Sequence, residues 1–212
     1  MPLRVLYCTG NEGKWLEALA TFRHLAGDAA LLTRCDADPT ELQAPADDIA
    51  RAKVGEAHRL LQQPGQLLAP GCAPAYDWLL AEDVSFCLDC LNGFPGPYVK
   101  DMLDALGEAG LSDLVQRYAP EQRGARAVCR VAAVDLRTGC THLFTGELAG
   151  TCVLPRGDVR HGKRSWNGLF QPCGYAQTFG EMGFEEQARM SHRHAALGAF
   201  WAHCQSRERE DA

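Results

Sequence analysis

The sequence predicts an α/β fold, and three observations carry that prediction. Short apolar runs rich in β-forming residues alternate with segments of helical spacing. The chain opens as strand, glycine-bearing loop and helix. No apolar run approaches the ~20 residues of a membrane span, whereas 46% hydrophobic and 23% charged residues supply both a core and a solvated surface. At 212 residues the chain is long enough to bury a substantial core.

Leu3 to Cys8 reads as a buried strand. Thr9-Gly10-Asn11 breaks it, and apolar residues at Trp15, Leu16, Leu19, Phe22 and Leu25 then recur at helical spacing over Lys14 to Leu25. Ala29 to Thr33 reads as a second strand and Pro39 to Pro45 as a loop. Asp47-Asp48 place negative charge at the start of a helix running to about Leu61. Gln63 to Asp77 holds three prolines and two glycines, hence an irregular surface segment. Trp78 to Leu80 leads as a strand into Glu82-Asp83, and Pro95-Gly96-Pro97 punctuates the chain before helices near 99–106 and 111–118. Ala127 to Leu136 and Cys140 to Leu154, joined by Arg137-Thr138-Gly139, read as a long antiparallel ribbon with a tight turn. Ser191 to about Cys204 reads as the final helix and residues 205–212 as a solvated tail, and the length fits one large domain or two small ones.

The formal net charge is −6 and no Lys/Arg-rich run occurs, which argues against a nucleic-acid partner. The N-terminus lacks the basic start and apolar stretch of a signal peptide. Ten scattered cysteines suit a reducing compartment, so the expected location is the cytoplasm, with no membrane association. Cys87 and Cys90 form one Cys-x-x-Cys without a matching second pair, and read as two thiols near a strand end.

Four polar segments carry the chemistry. Thr9 to Lys14 is a glycine-bearing turn into a helix, where unpaired N–H groups and the helix dipole favour an anion. Glu82 and Asp83 end an apolar strand, and neighbours in an extended segment face opposite ways, so both cannot simply be solvated. Carboxylates so placed can hold a divalent ion or activate water, with Glu41 as a third candidate. Gly93 to Tyr98 is a rigid turn. Ser191-His192-Arg193 opens the last helix with a cap, an imidazole and a planar cationic fork. Lys53, on the second helix, is a further phosphate contact. Each feature also fits a plain structural role: a βα turn, a solvated acidic pair, a lysine lying along its helix, a capped helix start. Trp166 with Phe170 fits either a stacking wall for a base or the core.

Taken together, these segments resemble the inosine triphosphate pyrophosphatase family over almost the whole chain. The matching stretches are Thr9-Gly10-Asn11 with Lys14 and Glu17, Glu41 followed by 48–53, residues 81–100, 154–157 and 170–182, and Ser191-His192-Arg193. The resemblance implies an elongated α/β protein with a long central mixed sheet, two lobes flanking a nucleotide cleft, and a homodimer. It implies hydrolysis of ITP, dITP or XTP to the monophosphate and pyrophosphate with Mg2+, or Mn2+ in its place. By position, Thr9, Asn11, Lys14 and Lys53 would hold the triphosphate. Glu41, Glu82 and Asp83 would handle metal and water, with Asp83 the expected base and Glu82 beside it. His192 and Arg193 would lie at the purine or its neighbourhood with Trp166 near the base, and Asn167 and Gln187 are further substrate-binding positions.

The sequence departs from the family pattern around the base and at one phosphate contact. Phe-Gly-Trp-Asp-Pro reads Arg164-Ser165-Trp166-Asn167-Gly168 here, and Gln187-Ala188 stand in place of a lysine and an asparagine. Asp-Gly-Tyr has become Cys173-Gly174-Tyr175, and Glu-Asp-Thr has become Glu82-Asp83-Val84. Losing one charge-assisted contact costs roughly 1.5–3 kcal/mol, so base preference is expected to loosen or shift. The alternatives are a nucleotide-binding paralogue with weak turnover and a pyrophosphatase for another base.

Overall fold

A computed structural model describes residues 1–37, 39–40, 42–63, 65–66, 68, 76–157 and 165–210. The elements are β1 (Leu3–Cys8), α1 (Glu12–Ala26), β2 (Ala30–Cys35), α2 (Ala46–Leu61), β3 (Trp78–Leu88), β4 (Pro95–Gly96) and α3 (Val99–Tyr118), followed by β5 (Gly124–Asp135), β6 (Thr141–Cys152), β7 (Phe170–Pro172), α4 (Phe184–Met190) and α5 (His192–Glu210). One mixed sheet runs in the order β2-β1-β3-β5-β6-β7, with β4 paired to β3. β1 is parallel to both β2 and β3, while β4 and β7 pair antiparallel with β3 and β6. The expected α/β class with a mixed sheet is the class observed.

Local chemistry explains the element ends. Asn11 caps α1 by accepting the Lys14 backbone N–H, and Gly27, at φ 52°, closes it by donating to the Arg23 carbonyl. Asp47 and Asp48 occupy the first turn of α2, and His58 and Arg59 its last, each complementing the helix dipole. The two helical segments expected between 99 and 118 are the two halves of α3, which breaks at Gly107 (φ 67°, ψ 173°).

Three features go beyond the sequence reading. β3 continues through Glu82-Asp83 to Leu88, because both carboxylates find partners inside and need not end the strand. α5 runs on to Glu210 rather than ending near Cys204, with Gln205, Ser206 and Arg209 exposed along it. Its last turns are held by Arg207, which pairs with buried Asp135 at 2.8 Å and lies 5.6 Å from the centre of the Trp78 ring. β7 and α4 are too short, at three and seven residues, to leave a periodic signal.

The chain packs as two compact units, Met1–Asp83 with Arg130–Gly146 and Arg193–Ala212, and Val84–Cys129 with Glu147–His192. In the first, Leu6, Cys8, Val54, Leu61 and Leu79 build a core between strands and α2. In the second, Phe86, Leu103, Leu111, Phe170, Phe179 and Met182 build another. Among the described residues no helix is long and apolar enough to cross a membrane.

Gly150 on β6 exposes how tightly the second core closes. A Cβ there would sit 2.4 Å from a Phe170 ring carbon and 2.5 Å from the Gln171 carbonyl oxygen. Gly150→Ala is expected to cost about 1–3 kcal/mol by overpacking, read as a lower urea midpoint with an unchanged slope.

Candidate active site

The polar residues of the first unit lie just past the C-terminal end of β1 and in the middle of β3, immediately after the last β1–β3 pair, Cys8 with Ala81. Past β1, the Asn11 N–H donates to Thr9 Oγ1 at 3.1 Å and the Lys14 N–H to Asn11 Oδ1 at 3.0 Å. Arg34 Nε donates to the Thr9 carbonyl at 3.0 Å. The loop is thereby fixed at the N-terminus of α1, where backbone N–H groups and the dipole favour an anion.

On β3, Glu82 and Asp83 face opposite ways and meet different helices. Glu82 is 4% exposed, and each of its oxygens faces two donor groups. Arg193 grips it bidentately at 2.8 Å from both Nε and Nη2, Tyr7 donates its hydroxyl at 2.5 Å, and Lys14 Nζ lies 3.4 Å away. Glu17 of α1 closes on the remaining side of the Arg193 fork. Burial alone would raise the Glu82 carboxyl; the charges of Arg193 and Lys14, with hydrogen bonds from Arg193 and Tyr7, outweigh it and hold Glu82 well below the usual carboxylate range. Burial likewise opposes the Arg193 charge, and Glu17 and Glu82 more than offset it.

Asp83 is set differently. Lys53 of α2 donates to its Oδ1 at 3.0 Å, and both side chains are largely buried. Its other oxygen, Oδ2, is buried and has no hydrogen-bond partner among the described residues. A buried acceptor left open is costly unless something fills it. Hard dications take oxygen ligands, so Asp83 Oδ2 suits a metal ion or a water, whereas Glu82 is already committed to the protein's own cations. Among the described residues no three His, Cys, Asp or Glu side chains gather into a metal cluster. The candidate third carboxylate, Glu41, lies outside the described residues, as does Arg164.

The remaining candidates fall in the second unit, apart from Arg193. Trp166 is 8% exposed and stacks on Phe86 with ring centres 5.0 Å apart. Its ring lies 5.5 Å from His192, which in turn stacks on Phe179 at 6.1 Å. Trp166 therefore sits in an aromatic core that includes an imidazole. Asn167 is buried beside it, and its Nδ2 has no hydrogen-bond partner among the described residues. Gln187 is buried on α4.

The structure thus brings Asn11, Lys14, Glu82 and Arg193 into one linked group, sets Lys53 on Asp83, and packs Trp166 against His192. Tyr7 was missed because it reads as one more residue of a buried strand. Its signal was a hydroxyl in an otherwise apolar run, since a buried tyrosine O–H needs an acceptor. Glu17 carried a family match without a role, and its role here is to balance Arg193.

An α/β sheet that ends in a helix N-terminus, buried carboxylates and lysines has the equipment of a protein that handles a polyanion. The comparisons with known proteins make this specific. The Ham1 family profile matches residues 5–203. The inosine triphosphate pyrophosphatase of Yarrowia lipolytica is 34% identical over 195 residues, 92% of each chain. That of Giardia intestinalis is 34% identical over 198 residues, covering 92% of this chain and 90% of the relative. The structure of a Ham1 protein from Coxiella burnetii superposes with a TM-score of 0.71 at 18% identity, over 96% of this chain and 99% of that one. The chain belongs to the Ham1 family.

The buried charge group makes a stability prediction. Glu82 has a depressed folded value, so its contribution is complete above the ordinary carboxylate range and is lost as pH falls through that range and below it. Glu82→Gln is expected to cost about 3–5 kcal/mol at pH 7, because it leaves Arg193 imperfectly paired. Urea midpoints measured from pH 7 to pH 3 should fall for the native chain and change less for the variant; parallel decline in both would show that Glu82 does not carry the acid sensitivity.

Proposed function

We propose that the chain hydrolyses deaminated purine nucleoside triphosphates, ITP, dITP and XTP, to the monophosphate and pyrophosphate. It is an enzyme of the nucleoside triphosphate pyrophosphatase class. The observation that carries the reading is the Lys53–Asp83 pair, a buried carboxylate with one oxygen held at 3.0 Å and the other open. It stands in a chain 34% identical over 92% of its length to an inosine triphosphate pyrophosphatase.

In this reading the α1 N-terminus, Thr9, Asn11, Lys14 and Lys53 grip the triphosphate. Phosphoryl transfer rests mainly on positioning and on countering oxyanion charge, and two lysines with backbone N–H groups supply both. Asp83 Oδ2 accepts the proton of the attacking water, and Lys53 orients the carboxylate through Oδ1. Glu82 stands behind them, fixing Lys14 and Arg193. Glu41 and Asp83 would hold Mg2+, or Mn2+ in its place, which when bound supplies further positive charge against the phosphates. Trp166, Asn167, Gln187, His192 and Arg193 are the candidates for purine recognition. A homodimer in the cytoplasm, without nucleic acid or membrane as partner, completes the reading.

Gln187 supports a second reading in which base preference or turnover has changed. A buried amide stands where the family carries a lysine, and loss of a paired polar contact shifts selectivity strongly.

Pyrophosphate release from ITP, dITP, XTP, GTP, ATP, CTP and UTP, with Mg2+ and with chelator, tests both. Fast release from ITP and XTP that chelator abolishes is the expected result, and Asp83→Asn should lower kcat by ~10²–10⁴-fold. Release chiefly from another nucleotide would favour altered specificity, and nucleotide binding with no release from any would sink the enzyme assignment.

A further inference from the structure

We infer that Tyr7 is a positioning residue for the triphosphate grip, its hydroxyl sharing the charge of Glu82 so that Lys14 stays available to a phosphate. This deepens the functional reading above and rests on its placing of Lys14 at the triphosphate.

The sheet register puts Tyr7 where it can act. Tyr7 pairs with Leu80 across the parallel β1–β3 ladder. Alternate residues of a strand share a face, so Tyr7, Leu80 and Glu82 lie on one side of the sheet. Lys14 of α1 and Arg193 of α5 reach Glu82 on that side. Tyr7 is fully buried, with its ring 6.4 Å from that of Trp15 on α1. A phenylalanine would fill the same core volume, and a buried hydroxyl is costly unless it finds an acceptor. Here the acceptor is Glu82 Oε2, at 2.5 Å.

Tyr7, Arg193 and Lys14 divide the Glu82 carboxylate unequally. Oε2 takes the Tyr7 hydroxyl at 2.5 Å and Arg193 Nε at 2.8 Å. Oε1 takes Arg193 Nη2 at 2.8 Å and Lys14 Nζ at 3.4 Å. Of these contacts the one to Lys14 is the longest. The Lys14 side chain is also 26% exposed, against 1% for Glu82 and 5% for Arg193. Lys14 is therefore the member of the group that a ligand can reach, and it stands in the first turn of α1, where an anion is favoured.

A lysine between a carboxylate and a phosphate goes to the phosphate more readily when other donors spread the carboxylate charge. Without the Tyr7 hydroxyl, Glu82 loses its shortest contact, and the charge so released acts on Lys14, the loosest of the three partners. Tyr7 thus sets how firmly the protein's own carboxylate competes with a phosphate for Lys14.

Calorimetric titration of the full chain with inorganic tripolyphosphate, with chelator present, reads that competition without turnover. Lys14→Ala is expected to weaken binding at least about tenfold, and Tyr7→Phe about three- to tenfold. In a chain already carrying Lys14→Ala, Tyr7→Phe should change affinity by less than about 1.5-fold, because the hydroxyl acts through Lys14. With ITP, Tyr7→Phe should raise KM while kcat stays within about twofold of the native value. Thermal unfolding checks that each variant is folded. Should Tyr7→Phe fail to fold, 3-fluorotyrosine at position 7 takes its place: a more acidic donor of nearly the same size, it should tighten tripolyphosphate binding. Native affinity in Tyr7→Phe, an equal Tyr7→Phe loss with and without Lys14, or weaker binding with 3-fluorotyrosine would each overturn the role of Tyr7 and leave the triphosphate reading standing. A native chain that binds no tripolyphosphate would overturn that reading and the role of Tyr7 with it.

Discussion

The buried ion cluster of Arg193 with Glu82 and Glu17 is the constraint on which the polar end of the first unit depends. All three residues are 3–4% exposed. Desolvating charges is expensive and is compensated only when the partners are complete and well oriented. Here they are complete: two carboxylates face one guanidinium, and Lys14 restores the balance at 3.4 Å. The cluster ties α1, β3 and α5 together through charge-assisted bonds, so the loop before α1 cannot drift from the strand that carries the carboxylates. A single apolar contact could not fix three elements with this directional specificity.

That arrangement divides labour between neighbouring residues. Glu82 and Asp83 differ by one position on one strand, and the pleat sends them to opposite faces. Glu82 spends its lone pairs on Tyr7, Lys14 and Arg193; Asp83 gives one oxygen to Lys53 and keeps the other. A carboxylate whose lone pairs are all spoken for organises its surroundings, and one with an open oxygen is equipped to accept a proton or bind a cation. Arg193, which the family resemblance would set near the purine, is committed through its guanidinium to Glu82 and Glu17. Selectivity that runs through it would therefore act by way of the whole cluster.

Much of the fold was legible because its signals are local. The strand at 3–8, the Asn11 cap, the acidic start of α2 and the hairpin around Thr138-Gly139 all arise from residues within a few positions of one another. The ends of β3 and α5 were not legible. Glu82-Asp83 look like a strand stop until partners distant in sequence are known, and Arg207 looks like part of a solvated run until Asp135 is seen to pair with it. β7 and α4 were invisible for want of length.

The sequence by itself determined the α/β class, the order of the long elements, the residue types available for phosphate and carboxylate chemistry, and, through ordered motifs, the family. Only the tertiary structure decided which carboxylate is saturated and which is open, that Tyr7 and Glu17 belong with the polar group, and that Trp166 packs with an imidazole in a core. The reason is physical: helix and strand patterns depend on neighbours along the chain. The state of a buried charge depends on donors brought from 111 and 176 positions away, as Arg193 is to Glu82 and Glu17.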